Sequence, residues 1–234
     1  MKIAEAKNIR ALLFILKKNG YVIYEKPYQL NIVGVRSDTT DANKFDDLLY
    51  AFWKDDKGKW QGKYYTVTTD PGTFWLKNPS TKLGTAILAQ GQYVDSWQIG
   101  LHKGKYEALT QAKPVKVIRD YDRNAILDFN NGKTYTGIYG INIHHAGTDS
   151  KSVDNWSAGC QVFSNLSDFN DFMELVRKSY KLYGNKFTYT LIDERAYLRA
   201  AKKHLVYFLG AALLIGAFWT LSRTINNKSI LPKF

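Results

Sequence analysis

Cys160 is the single cysteine of the chain, and two of the four histidines, His144 and His145, lie with it in one short segment, INIHHAGTDSKSVDNWSAGCQVF (Ile141–Phe163). A thiol is mostly protonated at neutral pH, and a neighbouring imidazole raises the thiolate fraction that can attack a carbonyl carbon. The pairing points to nucleophilic catalysis, with Cys160 as nucleophile and His144 as base. If GINIHH is a strand and GCQVF begins the next, the Thr148–Ser157 connection returns the chain so that sulfur and imidazole can meet. Successive strand residues face opposite sides, so at most one of the two histidines faces the sulfur. His145 takes the role of base if the register slips by one.

Ser157-Ala158-Gly159 precedes the cysteine as a step of small residues. Such a turn brings backbone N–H groups close to the sulfur and leaves room for a substrate carbonyl, an oxyanion site built on the amides of Gly159 and Cys160. His102, Asp149 and Asp154 are candidates for orienting the imidazole, a task any backbone carbonyl could also perform. The other readings of a lone cysteine are a packed apolar side chain or a metal ligand. His144 or His145, His102 and Cys160 lack the Cys-x-x-Cys or His-x-x-x-His spacing of a zinc site. The expected chemistry requires neither a metal nor a cofactor.

These residues resemble the active-site signature of the L,D-transpeptidases (YkuD-type domains). Ile143-His144-His145-Ala146-Gly147-Thr148 is similar to the first half of that signature and Ser157-Ala158-Gly159-Cys160 to the second. Upstream, Pro71, Gly72 and Phe74 in TTDPGTFWL are similar to the family's Thr-Pro-x-Gly-x-Phe stretch. The resemblance spans about Tyr64 to Ile192. It implies a mostly β domain in which Cys160 is acylated, His144 is its base and Ser157 to Cys160 form the oxyanion turn. Ala158 stands where the family usually has a histidine, and Val162 falls near an arginine common after Gly-Cys, so the electrostatics of substrate binding differ.

The elements that must position these residues follow from periodicity. Ile9, Leu12, Leu13 and Leu16 form the stripe of an amphipathic helix ending at Gly20. Strand-like runs follow: YVIY, YQLNIVGVR, LLYAFW and KWQGKYYTVTT, the last two joined as a hairpin by Asp55–Gly58. Further strands are read at Thr73–Leu76, Thr85–Leu88, Tyr93–Ile99, Pro114–Arg119, Ala125–Phe129 and Gly140–His144. A helix over Asp168–Tyr183 is capped by Ser167 or Asp168 and stopped by Gly184, and the strand KFTYTLI closes the globular part. The fold class is mainly β (α+β), an L,D-transpeptidase-like sandwich or barrel with one or two packed helices. Its domains are 1–60 (helix and strands packing on the catalytic domain), 61–194 (catalytic) and 195–234 (basic segment and membrane helix).

The net charge is +12, but Arg195, Arg199, Lys202, Lys203, Arg223, Lys228 and Lys233 all follow Glu194, beyond which there is no Asp or Glu. The preceding part carries only +5 of that charge, so no nucleic-acid partner is expected. His204 to Ser222, HLVYFLGAALLIGAFWTLS, is uncharged apart from its histidine and would span about 28 Å as a helix, close to a bilayer core. A single-pass anchor at about 204–222 makes a lipid membrane one partner. The amino-terminal apolar run is too short for a secretory signal. The expected function is a membrane-anchored cysteine peptidase or transpeptidase acting on peptidoglycan stem peptides. A bacteriophage virion or lysis protein reconciles a wall substrate with the missing signal, although an atypical bacterial export route leaves the same sequence. The alternative is a non-catalytic membrane-anchored structural protein on an inactive domain of this fold.

Overall fold

The computed structural model describes residues 9–130 and 133–200. The expected membrane helix at 204–222 lies outside the described residues. Among those described, no helix is long and apolar enough to cross a membrane. The chain is mainly β with a few helices.

Eight strands close into a barrel. They are β1 (Asn31–Arg36), β2 (Asp47–Lys54), β3 (Trp60–Thr68), β5 (Gly91–His102), β6 (Tyr106–Gln111), β9 (Ile143–His145), β10 (Gln161–Phe163) and β11 (Phe187–Asp193). The order round the barrel is β1-β11-β5-β6-β9-β10-β3-β2. Strands from both sides of residue 60 thus belong to one barrel. A second sheet holds β4 (Thr85–Leu88), β7 (Val115–Asp120) and β8 (Thr134–Gly137) in the order β4-β7-β8. Most neighbours are antiparallel, but β1 runs parallel to β11 and β9 parallel to β10.

The inward rows of Ile32, Leu49, Val67, Trp97, Leu109, Ile143, Phe163 and Tyr189 form the main core. Helix α3 (Leu166–Tyr183) lays Phe169, Phe172, Met173 and Val176 on it, as its periodicity predicts. β1 and β2 are buried on both faces. Their outward residues Val33, Val35, Leu48, Tyr50 and Phe52 pack on α1 (Ile9–Lys18), through Ala11, Leu12, Ile15 and Leu16, and on Tyr197 and Ala200 of the helical segment 194–200. That is why these strands read as continuous apolar runs instead of alternating ones.

Three expected strands are absent, in each case because the backbone finds other partners. In Tyr21–Tyr24, the amides of Val22 and Tyr24 donate to the side chains of Gln92 and Asn31. In Ala125–Phe129, Ile126, Leu127 and Asp128 donate to Asn124, the Thr40 carbonyl and Asp120. Thr73–Leu76 forms the short helix α2 (Thr73–Lys77), whose first turn closes onto the Gly72 carbonyl. The α3 cap lies earlier than Ser167 or Asp168: it is Asn165, whose side chain accepts from the Asp168 amide at 2.8 Å.

A buried polar cluster fastens the barrel to the segment before α2. Arg36 is 2.8 Å from Asp70 and donates to Thr69 and the Leu88 carbonyl. Asp47 accepts from the Ser37 amide and from both the amide and hydroxyl of Thr69. Buried charge of this kind is tolerated only when paired and hydrogen-bonded.

Candidate active site

β9 and β10 lie side by side with Val162 opposite His144 and Gln161 opposite Ile143. Continuing that register places Cys160 beside Asn142, so Cys160, Asn142 and His144 share the outer face of the strand pair. Ile143 and Gln161 point inward, where Gln161 accepts from the Tyr189 hydroxyl at 2.8 Å. His145 turns to the core side, its ring 5.0 Å from that of Phe169 and 4.5 Å from that of Tyr106. Only His144 of the two adjacent histidines stands on the cysteine's face.

His144 is buried, and its Nδ1 lies 2.8 Å from the His145 carbonyl. A carbonyl only accepts, so Nδ1 carries the proton and Nε2 presents its lone pair. Nε2 has no hydrogen-bond partner. Burial, followed by the proximity of His102, pulls the pKa down to about 3, which keeps the ring neutral. The orienting group is thus a backbone carbonyl, not a carboxylate. Asp154 is engaged with Asn43 and Ser152, and Asp149 with Lys151.

His102, at the end of β5, stacks on His144 with ring centroids 3.9 Å apart and planes 20° from parallel. Asn142 fixes its tautomer. Asn142 Oδ1 accepts from the Gln111 amide, so its Nδ2 faces His102 Nδ1 at 3.1 Å and that nitrogen must accept. The His102 pKa is lowered to about 4 by burial, then by Lys103 and His145.

Cys160 is half-buried. Its Sγ receives the Asn142 amide at 3.4 Å and lies 3.5 Å from the Gly140 carbonyl. Burial raises the thiol pKa, while the Asn142 amide and the charge of Lys103 act in the opposite direction. Sulfur and imidazole do not hydrogen-bond to each other in this resting geometry. Catalytic contacts are often open before substrate binds.

The turn before the cysteine is more tightly specified than small size alone suggests. Ser157 is fully buried, its hydroxyl donating to the Cys160 carbonyl at 2.9 Å and accepting from the Gly159 amide at 3.1 Å. Gly159 has φ +117°, and a β-carbon there would lie 2.2 Å from the Ala86 carbonyl. The Gly159 amide is therefore committed, in contrast to the expectation that it serves an oxyanion. The Cys160 amide has no partner among the described residues. Ala158 is exposed, whereas Val162 is wholly buried. The Pro71-Gly72 turn docks on this loop: the Gly72 amide donates to the Ser157 carbonyl at 2.9 Å, and a β-carbon at Gly72 would strike the Asp154 backbone.

Three residues at the site escape the sequence reading. Asn142 could have been found, since it stands two residues before His144 and so on the same strand face. Tyr106, whose hydroxyl is 3.3 Å from the His145 carbonyl and 3.4 Å from His144 Nδ1, and Lys103 arrive through the β5–β6 hairpin. Among the described residues no group of His, Cys, Asp and Glu is arranged to hold a metal ion. Comparison of the chain with protein-family models, with curated proteins and with solved structures finds no match.

Proposed function

We propose that this protein is a cysteine acyltransferase or peptidase of L,D-transpeptidase-like fold acting on peptidoglycan stem peptides, anchored to a membrane by the segment at 204–222. The observation that carries the chemistry is the shared outer face of β9 and β10, which holds Cys160 and a neutral His144 whose Nδ1–H is held by a carbonyl and whose buried Nε2 has no hydrogen-bond partner. The substrate class rests on the motif resemblance.

The reaction proceeds by proton balance through one imidazole. Sγ, which contacts the Asn142 amide and the Gly140 carbonyl in this structure, must move to within reach of Nε2 for the first step. His144 takes the thiol proton as sulfur bonds to the peptide carbonyl carbon, and the oxygen gains the negative charge facing the Cys160 amide. Collapse breaks the C–N bond, and the leaving amine takes the proton from His144. An incoming amine or water then attacks the thioester, gives its proton to His144 and releases Cys160 as the thiol. An amine yields transpeptidation and water yields hydrolysis. A bacteriophage protein acting on host wall fits this reading.

Two observations favour a second reading, a membrane-anchored structural protein on an inactive domain: the sulfur–imidazole contact is open, and burial raises the thiol pKa. The test is full-length protein with purified peptidoglycan and soluble stem peptides, followed by mass spectrometry of the products and of Cys160. Cleaved or exchanged peptides that vanish in Cys160→Ala and His144→Ala support the enzyme. Unchanged peptides and an unacylated Cys160 across several wall types support the structural protein.

A further inference from the structure

The β5–β6 hairpin is locked over the site on both flanks. His102, the last residue of β5, stacks on His144, and Tyr106, its cross-strand partner at the start of β6, reaches the His145 carbonyl. Between them Lys103-Gly104-Lys105 makes the turn, closed by the Lys105 amide on the His102 carbonyl at 2.9 Å. Lys103 and Gly104 both have positive φ, +49° and +70°. A lysine held in that conformation between two fixed flanks has its Cα placed by the site itself.

Lys103 is exposed and forms no salt bridge or side-chain hydrogen bond among the described residues. Its charge bears on the Cys160 thiol, on His102 and on His144, and no carboxylate is among the groups acting on that thiol. Lys105, in the same turn, has no such effect. A nucleophile whose only charged influence is an unpaired cation sits in a positive field, and that field selects for negative charge on what approaches it.

We propose that Lys103 is a specificity-determining residue that receives a free carboxylate of the acyl-donor peptide beside the bond attacked by Cys160. This rests on the acyl-transfer reading for its substrate, but not for the anion subsite itself. A peptide carboxylate on the Lys103 side would be oriented by an ammonium with three donors free to turn toward it. An amidated donor would lack that contact.

The chain's single cysteine makes a direct test available on full-length protein. Iodoacetate and iodoacetamide both alkylate the thiolate, sulfur displacing iodide, but only the first is an anion. Their rate ratio at Cys160 cancels any change in thiol pKa and reports the local field. The ratio should fall about three- to fivefold in Lys103→Gln, the scale of one exposed charge contact, and hold in Lys103→Arg and Lys105→Gln. In parallel, KM for stem peptides with a free carboxylate should rise by a similar factor in Lys103→Gln, with carboxamide peptides unaffected. A ratio unchanged in Lys103→Gln overturns the assignment, as does an equal loss on both kinds of peptide. If the wild type turns over neither peptide, the acyl-transfer reading fails. The alkylation ratio, with binding of the two peptides to Cys160→Ala, then decides the Lys103 subsite alone: no preference for the carboxylate overturns it, and a Lys103-dependent preference upholds it.

Discussion

On the proposed chemistry, a thiol with a raised pKa sharing a face with an imidazole that is already neutral gives a distinctive pH signature. His144 at about 3 is deprotonated across the working range, so no acid limb near the usual histidine value is expected in kcat/KM. The rate should instead climb with pH into the alkaline range as the half-buried thiol ionises, and the alkylation rate of Cys160 should follow the same curve. Stability follows an opposite logic at low pH. His102 at about 4 and His144 at about 3 lie below the value of an unfolded histidine, near 6.5, so between those values the unfolded chain binds protons that the folded chain does not. Folding free energy should therefore fall as pH drops through this window, with a slope of up to about 2.7 kcal/mol per pH unit where both rings contribute. Denaturant titrations at pH 7, 6, 5 and 4 check this, and His102→Asn should flatten the dependence. Gly159→Ala meets both a positive φ and the Ala86 carbonyl, and should lower stability by more than about 1 kcal/mol while displacing Cys160. Thermal unfolding and the alkylation rate read the two effects separately. At this scale the shared strand face of Cys160 and His144 was legible, because strand alternation limits which of the two histidines can stand on the cysteine's side. Ser157 was read as part of an oxyanion turn, and its role as a staple depends on hydroxyl geometry that no spacing encodes.

Elements were legible where side-chain period and local capping agree. The stripes of α1 and α3, the β2–β3 hairpin and β4 all stand close to where periodicity puts them. β6, with the sequence YEALTQ, has little of the β-branched and aromatic character that marks a strand, so the hairpin that brings Tyr106 and Lys103 to the site left no signal. Conversely, YVIY has strong strand character, but its amides are taken by Gln92 and Asn31 side chains from elsewhere in the fold. Tertiary partners decided both cases. The packing of α1 on the outer face of β1 and β2 is open to a simple check: Leu12 is fully buried there, and Leu12→Ala should cost about 2–5 kcal/mol, measured by denaturant unfolding. Because α1 lies on the outer face of β1 and β2, away from the strand pair bearing Cys160, the alkylation rate of Cys160 should be unchanged under native conditions.

The whole molecule depends on closure, and closure was the least legible feature, since the parallel pairings β1–β11 and β9–β10 join segments far apart in sequence or separated by an irregular loop. The buried Arg36–Asp70 pair ties the end of β1 to the segment before α2, and Arg36→Met should destabilise the protein by about 3–5 kcal/mol by leaving Asp70 without its partner. The strand order also has a geometric outcome. β9, which carries His144, is as far from β1 as the ring allows, counted in either direction. β1, with α1 and residues 194–200 against it, thus lies across the barrel from the strand that carries His144. On the proposed reading, a tether leaving residue 200 would hold the domain by the side opposite β9, with the His144 strand turned toward a polymer too large to diffuse around it.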